Sequence, residues 1–103
     1  MPKNERIEKT VLRKLSEVID PELGIDIVSM GLVYGVEVDK KNKRVEIKMT
    51  FTTPACPLLG FILEEVKKKL DEIRGWEFYV DVVWDPPWSL ERMKPEARKK
   101  LGL

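Results

Sequence analysis

The residue of this sequence with the clearest chemical capability is Cys56, in the segment FTTPACP over residues 51–57. An alternating apolar run, typical of a strand, precedes this segment, and an apolar repeat typical of a helix follows it. At a helix start, the unpaired backbone N–H groups and the positive dipole end favour a thiolate over a thiol. Because the thiolate attacks electrophiles and binds metals, we expect Cys56 to be a reactive thiol or a metal ligand. The alternative is a small buried apolar residue.

The other side chains restrict the chemistry further. The chain has 1 Cys and 0 His. These counts exclude an internal disulfide and, within one chain, histidine zinc sites, Ser-His-Asp triads and Cys-His pairs. A thiol enzyme would lack both a histidine base and a second cysteine to resolve a disulfide. We therefore expect a protein that is not an enzyme.

Two more segments have an unusual composition, DPELG over residues 20–24 and DPPW over residues 85–88. Proline disfavours continued helix, so both are predicted loops. Asp20 and Glu22 in the first loop, and Asp85 and Trp88 in the second, could shape a site. The alternatives are that residues 20–24 only end a helix and turn, and that residues 85–88 form a rigid wall.

The elements that position these loops follow from the spacing of apolar residues. In chain order, the predicted elements are a helix over 4–19, hairpin strands over 32–38 and 45–51, a helix over 57–74, a strand over 78–84 and short helical turns within 89–103. A strand, helix, strand unit normally returns parallel, so the third strand should run parallel to the second. We expect an α+β fold in a single compact domain over residues 1–103. Its three-stranded sheet is mixed, with helices on one face.

This topology brings two of the loops together. The segments 52–57 and 85–88 both leave the carboxyl ends of parallel strands, so both should emerge at one edge of the sheet. The loop over residues 20–24 must reach the same edge to join them, which the pattern of residues does not decide.

Composition restricts the partners and the cellular location. Lys+Arg 19 against Asp+Glu 18 gives a net charge of +1, so no overall field attracts nucleic acid or an anionic membrane. No apolar stretch approaches the roughly 20 residues that span a bilayer, and the N-terminus lacks the apolar core of a signal peptide. We expect a soluble cytoplasmic protein. The high content of Lys and Glu is typical of thermophile proteins.

The sequence resembles the SufT and PaaD-like iron-sulfur cluster assembly family, formerly a domain of unknown function. The resemblance covers nearly the whole chain through IDPELG over 19–24, VSMGLVY over 28–34, TFTTPACPL over 50–58 and DPPW over 85–88. Members of this family are small stand-alone domains, subunits of cluster-targeting machinery, modules fused to cluster carriers or accessory factors for phenylacetate degradation. The resemblance implies a role in maturing iron-sulfur proteins. It assigns the acidic turn to Asp20 and Glu22, the reactive thiol to Cys56 and a neighbouring hydroxyl to Thr53.

The leading hypothesis is a cluster assembly or targeting factor that uses Cys56 as a cluster ligand or docking thiol. The site-shaping residues would be Asp20, Glu22, Thr53, Asp85 and Trp88. Iron-sulfur clusters usually take four protein ligands, so one cysteine implies a transient cluster that is completed by a second subunit, a small thiol, a client protein, or carboxylate from Asp20 or Glu22. The expected partners are iron-sulfur client proteins or a cluster carrier, and a homodimer is one route to a second thiolate. The alternative is a protein-interaction adaptor in which the thiol is incidental.

Overall fold

The order of helices and strands follows the predicted order closely. A computed structural model describes residues 3–53 and 57–102. The elements are α1 (Lys3–Leu15), β1 (Ile19–Asp20), β2 (Ile25–Asp26), β3 (Val33–Asp39), β4 (Arg44–Met49), α2 (Leu59–Asp71), β5 (Glu77–Val82), a 3₁₀ turn (Leu90–Arg92) and α3 (Pro95–Lys100). The predicted α+β fold class is confirmed.

The central layer is a three-stranded sheet in the order β3-β4-β5. β3 pairs antiparallel with β4, whereas β4 pairs parallel with β5. The predicted mixed sheet is therefore confirmed. On β4, the apolar residues Val45, Ile47 and Met49 are fully buried, and the polar residues between them face the other side. This alternation follows from the two-residue period of a strand.

Helix α2 covers the buried face of the sheet. Its residues Ile62, Val66 and Leu70 recur every four positions and belong to the same buried cluster as the apolar residues of β4. Such spacing places them on one side of the helix. Both α1 and α2 have 13 residues, and no helix in the described ranges has the length and apolarity to cross a membrane.

Helix α1 is shorter than the spacing of apolar residues predicts. Ile7, Val11 and Leu15 are buried as expected, but the helix ends at Leu15 instead of continuing to residue 19. The difference arises because Ile19 pairs with Asp26 in a short ladder between β1 and β2. Pairing with a strand requires an extended backbone, which competes with another turn of helix.

Candidate functional site

The carboxyl ends of β4 and β5 lie side by side. In their parallel register Met49 is opposite Val82, and the N–H of Val83 donates a 2.8 Å hydrogen bond to the carbonyl oxygen of Met49. The loops that follow the two strands therefore leave from one edge of the sheet. This is the edge at which the sequence places the segments 52–57 and 85–88.

Two aromatic rings meet at this edge. Phe51, which follows β4, is buried, and Trp84, which follows β5, is 41% exposed. Their ring centroids are 6.3 Å apart with an interplanar angle of 41°, which lies within the range of favourable aromatic pairs. Sequence reasoning counted Trp84 only as the end of a strand. Its place directly before the DPPW loop was the signal that could have identified it.

A buried hydroxyl without a partner lies at the end of β4. The side chain of Thr50 is completely buried. Its Oγ1 is the one buried side-chain polar atom in residues 6–53 and 57–102 that lacks a hydrogen bond. The backbone N–H of Thr50, by contrast, donates to the carbonyl oxygen of Leu32 at 2.8 Å. An unsatisfied buried hydroxyl normally destabilises a protein, and sequence alone gave no sign of it.

The loop over residues 85–88 is held against β3 and the segment before it. The indole N–H of Trp88 donates a 2.7 Å hydrogen bond to the carbonyl oxygen of Met30, and the hydroxyl of Tyr34 donates one of 2.8 Å to Pro86. Trp88 is half-buried, whereas Asp85 is exposed. These contacts favour the interpretation of residues 85–88 as a rigid wall beside the sheet edge.

β3 and the segment before it also contact the C-terminal part of the chain. The N–H of Lys94 donates a 2.8 Å hydrogen bond to the carbonyl oxygen of Ser29, and the Arg92 guanidinium lies 4.5 Å from the centre of the Tyr34 ring. Gly31 has a φ of 76°, and a Cβ at this position would overlap the carbonyl oxygen of Arg92. Only glycine combines this backbone conformation with so close an approach.

The acidic loop is stabilised largely from within. Asp20 is buried, and its Oδ1 accepts hydrogen bonds from the N–H groups of Glu22 at 2.8 Å and Leu23 at 3.3 Å. This arrangement is an Asx turn, in which a carboxylate replaces a backbone acceptor. Glu22 itself is exposed. The hydrogen bonds of Asp20 favour the structural alternative for that residue, and a role for either carboxylate at the sheet edge stays a prediction.

Cys56 lies outside the described residues, but the residues on either side of residues 54–56 are described. Thr53, after β4, and Pro57, before α2, are both exposed. Helix α2 begins at Leu59, two residues later than predicted, and follows a turn at Pro57 and Leu58. Leu58 has no polar side-chain atom to cap the helix, and the first turn of α2 contains no acidic residue. No side chain of its own therefore offsets the positive end of this helix.

The described ranges contain no cluster of three or more His, Cys, Asp or Glu side chains that could hold a metal ion. Iron-sulfur clusters are held mainly by thiolates and usually take four ligands. A chain with 1 Cys therefore supplies at most one thiolate to a cluster.

Comparisons with known proteins agree with this chemistry. The sequence profile described as iron-sulfur cluster assembly protein matches residues 8–82. The chain is 41% identical over 102 residues to the Fe-S protein maturation auxiliary factor YitW of Bacillus subtilis, covering 96% of this chain and 97% of YitW. It is 45% identical over 87 residues to the Fe-S protein maturation auxiliary factor SufT of Staphylococcus aureus, covering 84% of this chain and 98% of SufT.

A solved structure shares the fold. The crystal structure of a domain of unknown function from Bacillus anthracis superposes with a TM-score of 0.85 at 46% sequence identity, covering 96% of this chain and 94% of that chain. The two chains therefore share the fold over the matched residues.

Proposed function

We propose that this chain, which belongs to the iron-sulfur cluster assembly protein family, assists the maturation of iron-sulfur proteins. Its relatives YitW and SufT are named as maturation auxiliary factors, and each is matched over nearly its whole length. The finer proposal is that Cys56 acts on the cluster or on its carrier, either as a ligand or as a docking thiol.

The observation that most directly supports this function is the position of the segment that contains Cys56. It connects β4 to α2, and the N–H of Val83 joins the end of β5 to the end of β4. The wall formed by residues 85–88 starts from the same edge. A segment bounded by the exposed residues Thr53 and Pro57, beside a fixed wall, would suit brief contact with a cluster held by another protein.

The ligand count determines the kind of cluster handling that we propose. One thiolate and no histidine leave most coordination sites of a cluster to other donors. Those donors would come from a carrier, a client protein or a second copy of this chain. Incomplete ligation favours transfer over storage, because a weakly held cluster passes readily to an acceptor with a full ligand set.

Cluster transfer to an acceptor tests the role of Cys56. An anaerobically reconstituted cluster donor and an apo-ferredoxin acceptor would be mixed with wild type or Cys56→Ser, and the acceptor spectrum followed with time. We expect wild type to accelerate transfer and Cys56→Ser to abolish the acceleration. Thr52→Ser is the matched control, because it makes an equally small change at an exposed residue of the same loop. Equal acceleration by wild type and Cys56→Ser would remove the thiol from the mechanism.

An adaptor function is the second candidate, favoured by the exposed aromatic surface of Trp84. In this case, the chain would bind a client or carrier through the surface around Trp84 without touching the cluster. Partner capture separates the two candidates. An adaptor keeps its partner after Cys56→Ser and loses it after Trp84→Ala. A protein that binds through a shared cluster loses its partner after Cys56→Ser and keeps it after Trp84→Ala.

A further inference from the structure

The long side of β5 that faces away from β4 is an open sheet edge. It is distinct from the end of the sheet at which the loops after β4 and β5 leave. In the described part of the chain, β5 pairs with β4 alone. The N–H groups of Glu77 and Val83 donate 2.8 Å hydrogen bonds to the β4 side of the sheet, at Lys43 and Met49. Backbone groups alternate in direction along a strand, so the N–H and C=O groups of residues 78, 80 and 82 face away from β4. An unpaired row of this kind can accept a further strand.

A groove runs beside this edge, between β5 and α2. It has a volume of about 200 Å³ and is lined by Lys67, Leu70 and Asp71 of α2 and by Phe78 and Val80 of β5. Leu70 is buried at its base, and the two β5 side chains remain partly exposed. The groove thus offers apolar surface to the side chains on one face of an added strand.

The opposite face of β5 is acidic. Glu77, Tyr79 and Asp81 alternate with the apolar residues and are exposed. The register places Glu37 and Glu46 on the same face, together with Arg44 and Lys48. Arg44 forms a 3.4 Å ion pair with Glu77, and Lys48 forms one of 3.3 Å with Glu37. Carboxylates still outnumber basic groups on this face. An added strand would therefore have one set of side chains above apolar residues and the other set beside carboxylates.

We propose that the β5 edge binds an extended segment of a partner protein in which apolar residues alternate with basic residues. The apolar side chains would enter the groove between α2 and β5. The basic side chains would pair mainly with Asp81, and with Glu77 beside its existing ion pair to Arg44. The backbone of the segment would extend the ladder through residues 78, 80 and 82. Strand addition of this kind derives affinity from backbone hydrogen bonds and specificity from alternate side chains.

Charge makes a second copy of this chain a poor occupant of the same edge. Pairing β5 with β5 of another copy would gather Glu77 and Asp81 of both copies on one face of the joined sheet. Like charges on neighbouring strands are destabilising, whereas opposite charges contribute favourably. The acidic residues therefore discourage self-association at the edge and favour a basic partner.

The biological role of this edge, as the contact with a client or carrier, rests on the proposed function. Its physical test is independent of that function, because peptide binding requires neither a cluster nor Cys56. Failure of peptide binding would leave the transfer experiment unaffected. Conversely, Cys56→Ser protein should bind the peptide as well as wild type does.

The probe is a synthetic peptide of about seven residues, a usual strand length, in which lysine alternates with valine. Amide NMR spectra of the full chain would be recorded during titration. We expect the largest shifts at Phe78, Val80 and Val82, together with slower hydrogen exchange of their N–H groups. A valine and glutamate peptide should bind more weakly. A lysine and valine peptide N-methylated at every second amide, to remove the donors that face β5, should not bind.

Two charge reversals provide a matched comparison. Asp81→Lys changes the charge on β5 itself. Glu37→Lys makes the same change in charge on β3, the strand at the opposite edge of the sheet. The hydrogen bond from Lys48 to Glu37 is the main cause that raises the pKa of Lys48, and the charge of Asp81 adds a smaller effect in the same direction. Both substitutions therefore remove a carboxylate that favours the same ammonium group. We expect Asp81→Lys to weaken peptide binding by about fivefold and Glu37→Lys to leave it nearly unchanged.

Five results would overturn the proposal. Three concern the peptide complex: equal losses for the two variants, full binding of the N-methylated peptide, and shifts centred away from β5. The fourth is absence of any binding at millimolar peptide. The fifth is dimerisation of the free chain through β5, which would assign the edge to a second copy.

Discussion

The indole N–H of Trp88 donates a 2.7 Å hydrogen bond to the carbonyl oxygen of Met30, a residue with no exposed surface. This bond joins the loop after β5 to the segment before β3. The two segments are far apart in the sequence, so the bond fixes a wall of the candidate site by tertiary contact.

Removal of this bond should destabilise the fold. In Trp88→Phe the carbonyl oxygen of Met30 loses its donor, and we expect the free energy of unfolding to fall by about 1–2 kcal/mol. Urea denaturation measures the change. Trp84→Phe is the control, because Trp84 is 41% exposed, and it should cost less than about 0.5 kcal/mol. Equal losses in the two variants would show that the bond to Met30 contributes little.

Thr50→Val should stabilise the protein, which is unusual for a core substitution. Valine keeps the shape of threonine and removes the buried hydroxyl that has no partner. We expect a gain of about 1 kcal/mol in the free energy of unfolding. Thr52→Val, at an exposed position of the same segment, should change it by less than about 0.5 kcal/mol. A loss of stability in Thr50→Val would indicate that the hydroxyl binds an ordered water.

The two carboxylates of the acidic loop should have different roles, and substitution of each should show the difference. Asp20→Ala removes the acceptor of two backbone N–H groups, and we expect a loss of about 1–2 kcal/mol in the free energy of unfolding. Glu22→Ala should leave stability nearly unchanged, because the Glu22 side chain is exposed. If Glu22 acts on a metal or a partner, Glu22→Ala will slow cluster transfer. Unchanged transfer would leave the acidic loop with a structural role alone.

A charge network between α1 and α2 predicts the pH dependence of stability. A 2.7 Å hydrogen bond from Lys14 lowers the pKa of the Glu72 carboxyl, and a bond to Glu17 raises the pKa of the Lys69 ammonium. The ion pair of Glu72 stabilises the fold above the ordinary pKa of glutamate, and this contribution is lost as the pH falls through the folded-state pKa of Glu72. The ion pair of Lys69 stabilises the fold below the ordinary pKa of lysine, and this contribution is lost as the pH rises through the folded-state pKa of Lys69. Both contributions are present between about pH 5 and pH 10.

The matched variants for this network are Lys14→Met and Lys68→Met. We expect Lys14→Met to lower the melting temperature at neutral pH. The difference from wild type should shrink at pH values low enough to protonate Glu72 and in molar salt, which screens exposed pairs. Lys68→Met, an exposed change on α2, should show no such dependence. A difference that is constant from acid to neutral pH would contradict an electrostatic origin.

The sequence predicted those parts of the fold that local patterns determine. The alternation along β4 indicated its buried face because Val45, Ile47 and Met49 occupy every second position. The return of β5 parallel to β4 followed from the helix between them. Each of these features depends on residues that are neighbours along the chain.

The features that the sequence did not reveal depend on distant residues or on very short elements. The ladder between β1 and β2 has two residues in each strand, too few to show a period. The bond between Trp88 and Met30 spans 58 positions, and no local pattern encodes such a contact. The groove beside β5 also requires α2 to be in place, since residues from both elements line it.

The mixed order of the sheet has a consequence for the sequence of events during folding. β3 and β4 are joined by a short turn over residues 40–43, so their contacts close quickly. β5 pairs with β4 only after the whole connection through α2 has formed a closed loop, which has a larger entropic cost. The chain's only thiol lies within that connection. A newly synthesised chain would therefore complete its hairpin first and close the connection that contains Cys56 among the last steps.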